Sequence, residues 1–275
     1  MINFTKIKWN NYHGALLPDL TPDIEISLSK KEADKLLSKQ KALFLRYTSE
    51  WDSGQKRSFW FVVKDSFHGM SELSGNTRSK LRRGWKYFDV RKVTIEEIVR
   101  NGYEVYKHAF SRYNTHLKPV SKQKFYENTM NSIDYDFFAV YEKKSQKMVA
   151  YSSNKIINDV CNYTTIKFHP NYLKYYSGYV LIYEMNKYYL QERKFKYIHD
   201  GARSIVHDTN IHDFLIDKFK FRKAYCQLNI FYRWDIQLAV RLLYPFRAIL
   251  NKKTSSIMKK ISAVLKQEEI RRSFG

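Results

Sequence analysis

The sequence predicts a mixed α+β (α/β) fold, and two patterns predict it. Residues 137–142, 148–157 and 162–168 are three consecutive runs rich in β-branched and aromatic residues. Their connections at 143–147 and 158–161 are short enough for an antiparallel meander. Helical periodicity flanks the meander on both sides, giving strand, two helices, three strands, helix, strand, helix, strand from residue 88 to 233. With 275 residues and 44% hydrophobic content, the chain can bury a full core.

The elements follow in order. Residues 29–39 form a short helix, because Ser29 followed by Glu32 is a capping box. Residues 42–48 and 59–64 read as strands separated by the turn-rich Asp52-Ser-Gly-Gln-Lys. Residues 76–87 make a basic helix carrying Arg78, Lys80, Arg82, Arg83 and Lys86. Residues 88–93 form a strand, and Thr94 with Glu97 opens a helix that runs to about residue 113. A second helix covers 121–133. After the meander come a helix over 179–193, a short strand over 197–199, a helix over 208–219 and a strand over 224–233.

The chain therefore divides into an extension (1–87), a core (88–235) and a tail (236–275). The tail is apolar at helical spacing through Leu238, Leu242, Leu243, Phe246, Ile249 and Leu250, with Pro245 dividing it and a second amphipathic segment over 257–270. From Gln237 onward it holds nine Lys or Arg against two Glu. It reads either as a peripheral membrane or partner-docking helix, or as a helix packed on the domain with a solvated face.

A net charge of +22 implies an anionic partner such as nucleic acid, a nucleotide-bearing cofactor, a phosphorylated substrate or a membrane surface, unless Lys is simply a generic surface residue here. Cys161 and Cys226 sit in apolar runs with neither disulfide nor metal spacing, so they read as buried thiols in a reducing compartment. The N-terminus lacks a signal pattern and no run is long enough to span a membrane, so the expected location is cytoplasmic, including the inner face of the membrane. Metal-site spacings, a G-x-S-x-G elbow and a phosphate-binding P-loop are all missing from the sequence, so no metal is expected.

The most informative stretch runs from Phe168 through Lys174-Tyr-Tyr-Ser-Gly178 to Tyr179. A strand that feeds a small-residue turn and a helix N-terminus aims free N–H groups and the positive end of the dipole at one point. That arrangement suits a phosphate or another anion.

The element order from 88 to 233 resembles the GNAT acyltransferase fold, a mostly antiparallel twisted sheet flanked by helices. The segment before 88 would then be a partial GNAT-like extension. The stretch Arg78-Ser-Lys-Leu-Arg-Arg-Gly84 resembles the R-x-x-(I/L)-R-(K/R)-(A/G) entry of Fem-type aminoacyltransferases and their single-domain relatives. Tyr197-Ile-His-Asp-Gly-Ala-Arg and Lys218-Phe-Lys-Phe-Arg-Lys resemble the closing stretch of the same group.

The resemblance implies an N-acyltransferase that moves an acyl or aminoacyl group to an amine. The acceptor would be a small molecule, a sugar or a cell-envelope precursor. It places the donor along Phe168, Lys174, Tyr175, Ser177, Gly178 and Tyr179, with His207 and Asn210 at the next helix. The family's acetyl-CoA loop has Arg or Gln, two residues, Gly, one residue, then Gly or Ala. Here Gly178 fits, while Tyr175 and Val180 hold the other two places. Acyl-CoA (acetyl-CoA or longer) and aminoacyl-tRNA thus both stand as donors.

His199 is the expected base, with Asp200 beside it, and Tyr176 the expected acid. Arg46, Trp51 and Asp52 would line the acceptor groove, while Arg78 and Arg82 would meet an anionic acceptor or tRNA backbone. The competing reading is a non-catalytic module that binds RNA or a membrane surface through the basic helix and the tail.

Overall fold

A computed structural model describes residues 7–12, 14–113, 118–205, 210–250 and 255–274. They form two compact units: Met1–Phe61, Ala202–Asn210 and Lys223–Gly275 in the first, Val62–Gly201 and Ile211–Arg222 in the second. This partition cuts across the division at 87 and 235 expected from the sequence. Residues 62–87 join the second unit, where Leu81 of the basic helix is fully buried. The tail joins the first.

The first unit is built on a four-stranded sheet ordered β1 (Trp9–Tyr12), β2 (Ala15–Pro18), β3 (Phe44–Ser49), β11 (Gln227–Tyr232). The β1–β2 hairpin is not evident in the sequence, because Trp-Asn-Asn-Tyr lacks strand-like alternation. Helix α1 (Lys30–Lys39) starts where expected: the Ser29 side chain accepts from the Glu32 N–H, and Glu32 takes the Ser29 N–H at 2.7 Å. Leu16, Leu37 and Leu45 close the core beneath it.

The expected single strand over 224–233 is divided. Cys226, buried and donating its N–H to the Phe59 carbonyl, separates β10 (Arg222–Tyr225) from β11, and the two strands enter different sheets. The tail comprises α7 (Trp234–Leu243), a 3-10 turn (Tyr244–Phe246), α8 (Arg247–Leu250) and α9 (Ser256–Arg272). Pro245 divides it as anticipated, lying in the turn's first positions where a missing N–H costs nothing.

The second unit holds a seven-stranded sheet, ordered β10, β4 (Trp60–Lys64), β9 (Tyr197–Ala202), β8 (Val160–Phe168), β7 (Met148–Ile157), β6 (Tyr135–Glu142), β5 (Phe88–Val93). Strands β4 and β10 carry the chain across the boundary between units. Neighbours from β5 to β8 pair antiparallel, as the short connections require. Asn158, at φ 54°, makes the two-residue turn between β7 and β8.

The helices of this unit are α2 (Gly75–Tyr87), α3 (Ile95–Phe110), α4 (Lys122–Met130), α5 (Ser177–Asn186) and α6 (Asn210–Phe219). Thr94 occupies the N-cap of α3, though its hydroxyl bonds the Glu96 side chain and not a backbone N–H. Helix α5 begins two residues before the expected start, because a 3-10 turn (Pro170–Tyr175) absorbs the loop and Tyr176 reverses the chain at φ 70°. It continues as a π-helical segment (Lys187–Glu192).

Candidate functional site

Strands β8 and β9 run parallel, and the backbone between them opens. Their register pairs Val160 with Tyr197, Cys161 with Ile198 and Asn162 with His199, and stops there among the described residues, while β8 continues to Phe168. Thr164 is exposed although β8 is the fourth of seven strands. An unpaired edge in mid-sheet leaves N–H and C=O groups that a ligand's amides can satisfy by adding a short strand. The crevice lies at the carboxyl ends of the two strands, where sheets of this kind receive ligands.

The loop expected to meet a donor lies directly after β8. Ser177 and Gly178 are buried in the first turn of α5, where backbone N–H groups have no intrahelical acceptor. Gly178 leaves room for the Phe168 ring, which a Cβ would meet at 3.4 Å. The Ser177 hydroxyl is buried without a hydrogen-bond partner among the described residues. Lys174 and Tyr175 are exposed, with the ammonium 5.1 Å from the Tyr175 ring.

Helix α2 packs across this loop through Lys80, Arg83, Gly84 and Tyr87, a set that shares one helical face. Lys80 Nζ is 3.4 Å from the Tyr179 hydroxyl, and the Arg83 guanidinium is 4.7 Å from the Tyr176 ring centre. The Tyr87 ring lies 5.0 Å from that of Tyr175. A Cβ on Gly84 would meet Val180 Cγ1 at 2.7 Å and the Tyr176 carbonyl oxygen at 3.2 Å, so only glycine lets the helices approach this closely.

The sequence singled out Arg78 and Arg82, which lie on another face. Arg78 Nη1 donates to the Leu73 carbonyl at 2.8 Å, and Arg82 is exposed. Lys80 and Arg83, passed over as individual site residues, are the basic groups that touch the loop. Their three-residue spacing with Gly84 and Tyr87 was the signal.

His199 and Asp200 stand where β8 and β9 part. The Gly201 N–H donates to His199 Nδ1 at 3.2 Å, so a neutral His199 carries its proton on Nε2. His199 is buried at this point.

His212, on the first turn of α6, packs against Asp200. Its Nε2 is 3.1 Å from the Asp200 carbonyl and 3.3 Å from Asp200 Oδ2, so the neutral ring donates from Nε2 and keeps its lone pair on Nδ1. Burial pushes the Asp200 carboxyl above the usual carboxylate range, against the opposing pull of His212. Burial also opposes charge on His212, but hydrogen bonds to the Asp200 side chain and carbonyl outweigh it and raise the imidazole pKa. From this stretch the sequence singled out His207 and Asn210 and missed His212. In a strand-loop-helix unit the first helical turn faces the preceding strand end, and that was the available clue.

Asn210 is exposed and opens α6, and His207 lies outside the described residues. Arg46, Trp51 and Asp52 belong to the first unit. There Arg46 Nη1 bonds Gln267 Oε1 at 2.7 Å, the Trp51 N–H bonds Glu25 and Asp52 sits in a tight turn at φ 51°. Both cysteines are buried and free. Among the described residues no three His, Cys, Asp or Glu side chains gather as a metal site.

No protein-family model and no curated protein matches the sequence. Solved structures do match. FemX aligns with 86% of this chain and 85% of its own at a TM-score of 0.55 and 10% identity. The chain has a GNAT fold of the FemX type. The C-terminal domain of a lysylphosphatidylglycerol synthetase from Agrobacterium fabrum aligns over 86% and 83% at 0.53, with 11% identity. L-PGS from Bacillus licheniformis aligns over 97% and 86% at 0.50, with 10% identity.

Proposed function

We propose that the chain is an N-acyltransferase that moves an acyl or aminoacyl group from an activated ester to an amine. The observation that carries this reading is the parting of β8 and β9 after the Asn162–His199 pair, at the foot of α5. A donor arm lying on the free edge of β8 brings its carbonyl beside His199 and Asp200. The incoming ammonium loses a proton to His212 Nδ1, with Asp200 as the positioning residue that orients the ring. The amine then adds to the carbonyl carbon, and the Nε2–H of His199 steadies the oxyanion. Collapse expels the ester oxygen or thioester sulfur, which takes up a proton, with the Tyr176 phenol as a candidate source, and the nitrogen's extra proton restores the phenol. The products are an amide and the free donor alcohol or thiol.

The start of α5 favours aminoacyl-tRNA over acyl-CoA as donor. A pyrophosphate needs the N–H groups of 177–180, yet those of Tyr179 and Val180 already donate to the Tyr176 carbonyl oxygen at 3.0 and 3.4 Å. The exposed cations beside the loop, Lys174 and Arg83, suit a nucleic-acid backbone. The acceptor amine belongs to a small molecule or a cell-envelope precursor.

Thermal melting with each donor tests both steps. Charged tRNA raises the Tm and acyl-CoA does not, and the shift shrinks with salt and with Arg83→Glu. Protection by acyl-CoA alone reverses the donor assignment. Protection by neither removes the acyl-transfer reading. Unchanged turnover in a His212→Gln and Asp200→Asn double variant removes the assigned base.

A further inference from the structure

We infer that the exposed face of α7 and α8 seats the protein on an anionic lipid surface, an inference that stands whether or not the acyl-transfer reading holds. Trp234, Leu238, Leu242, Phe246 and Ile249 recur every three or four residues along α7, the 3-10 turn and α8. Each is more than half exposed, although such side chains ordinarily seek the core. Ala239, Pro245 and Ala248 fill the exposed positions between them, and Arg241 is the charged residue on that face. The opposite side is anchored, with Val240 buried. A continuous apolar stripe of this kind marks an interaction site.

The stripe is held rigid. Arg247 Nε bonds Glu269 Oε1 at 3.2 Å, and the guanidinium groups of Arg247 and Arg272 lie 4.4 Å and 3.9 Å from the Tyr244 ring centre. These contacts fix the turn at Pro245, so the face is presented without further ordering. At the start of α9, Ile257, Lys259 and Lys260 are also exposed.

Charge decides the occupant. From Gln237 onward nine Lys or Arg face two Glu, and both glutamates are tied to Arg247, Arg271 and Arg272. Asp235, at the head of α7, is held by Arg233 at 2.7 Å. A second copy would set like charge against like. Acidic lipid headgroups complement the lysines and Arg241 while the acyl boundary takes the stripe, and Trp234 suits the interfacial depth. Among the described residues no helix is long and apolar enough to cross a membrane, so the stripe lies on the surface.

The test is co-sedimentation of the full chain with vesicles of phosphatidylcholine, alone or with roughly one third phosphatidylglycerol. Partition onto the anionic vesicles exceeds that onto neutral ones by about tenfold or more. Leu242→Glu and Phe246→Glu together reduce it by about tenfold or more. Lys259→Glu with Lys260→Glu removes the anionic preference. Ile133→Glu, which alters an 87% exposed residue of the second unit, leaves binding unchanged. The altered side chains are exposed, so an unchanged circular dichroism spectrum confirms folding. Failure to bind anionic vesicles overturns the proposal, as does binding indifferent to Leu242→Glu with Phe246→Glu. A dimer that those two substitutions dissolve assigns the face to a second copy instead, and tRNA binding that they abolish assigns it to nucleic acid.

Discussion

Asp200 holds His212 from two sides at once, through its main-chain oxygen at 3.1 Å and its Oδ2 at 3.3 Å. Burial resists charge on this imidazole, yet the Asp200 hydrogen bonds hold its pKa above the ordinary 6.5. A pKa raised on folding contributes stability that is fully present below the unfolded value and is lost as pH climbs through the folded value. The stability advantage of the wild type over His212→Gln should therefore shrink between about pH 6 and pH 8. Melting temperatures across that window read it. A gap that stays constant with pH contradicts the pairing.

The same shift sets the activity profile under the acyl-transfer reading. A base works unprotonated, so the rate rises with pH through the raised pKa of His212. Asp200→Asn removes the negative partner and moves that limb to lower pH, while lowering the plateau because the ring is less well oriented. His199→Gln leaves the position of the limb where it is and reduces the rate by about tenfold or more. If instead His199→Gln abolishes the limb, the roles of the two histidines are exchanged.

Gly84 is where α2 and α5 touch most closely. Alanine there drives a methyl to 2.7 Å from Val180 Cγ1 and 3.2 Å from the Tyr176 carbonyl. Urea unfolding of Gly84→Ala should show a loss of about 1–3 kcal/mol, even though alanine is the better helix former. Gly178→Ala meets the Phe168 ring at 3.4 Å, an ordinary contact, and should cost less. Equal effects of the two substitutions would show that α2 does not clamp the loop.

The meander and the helix order were legible in the sequence because strand β-branching and helix periodicity are local properties. Strand β7 spans Met148–Ile157, the bounds its run of strand-forming residues predicts. The β1–β2 hairpin was not legible, since its pairing depends on β3, distant in sequence. Nor was the division at Cys226, where two adjacent strands enter separate sheets. In the site, Gly178 and the loop were visible as a small-residue turn before a helix. His212 was hidden because its partner, Asp200, is twelve residues away on another element. Arg78 and Arg82 drew notice by charge, while their neighbours Lys80 and Arg83 reach the loop.

Glu268 supplies a test of how the tail is fastened within the first unit. Its carboxylate is almost fully buried and takes hydrogen bonds from Arg271 at 2.6 and 2.8 Å, Arg272 at 2.7 Å and the Tyr232 hydroxyl at 3.1 Å. Burial alone would raise its pKa, but the two arginines and Tyr232 overcome it and hold the carboxyl below 4.5. A depressed carboxyl contributes stability that is present above the unfolded value and is lost as pH falls through the folded one. Glu268→Gln, which keeps the volume and removes the charge, should cost about 1–3 kcal/mol at neutral pH. That cost should shrink as the pH is taken below 4.5, where the unfolded carboxyl takes up a proton before the folded one does, and disappear once the pH falls through the folded value. Urea unfolding at about pH 7 and about pH 4 measures both values. A cost that does not diminish on acidification would mean that Glu268 acts through packing, with its charge contributing nothing to holding α9 on β11.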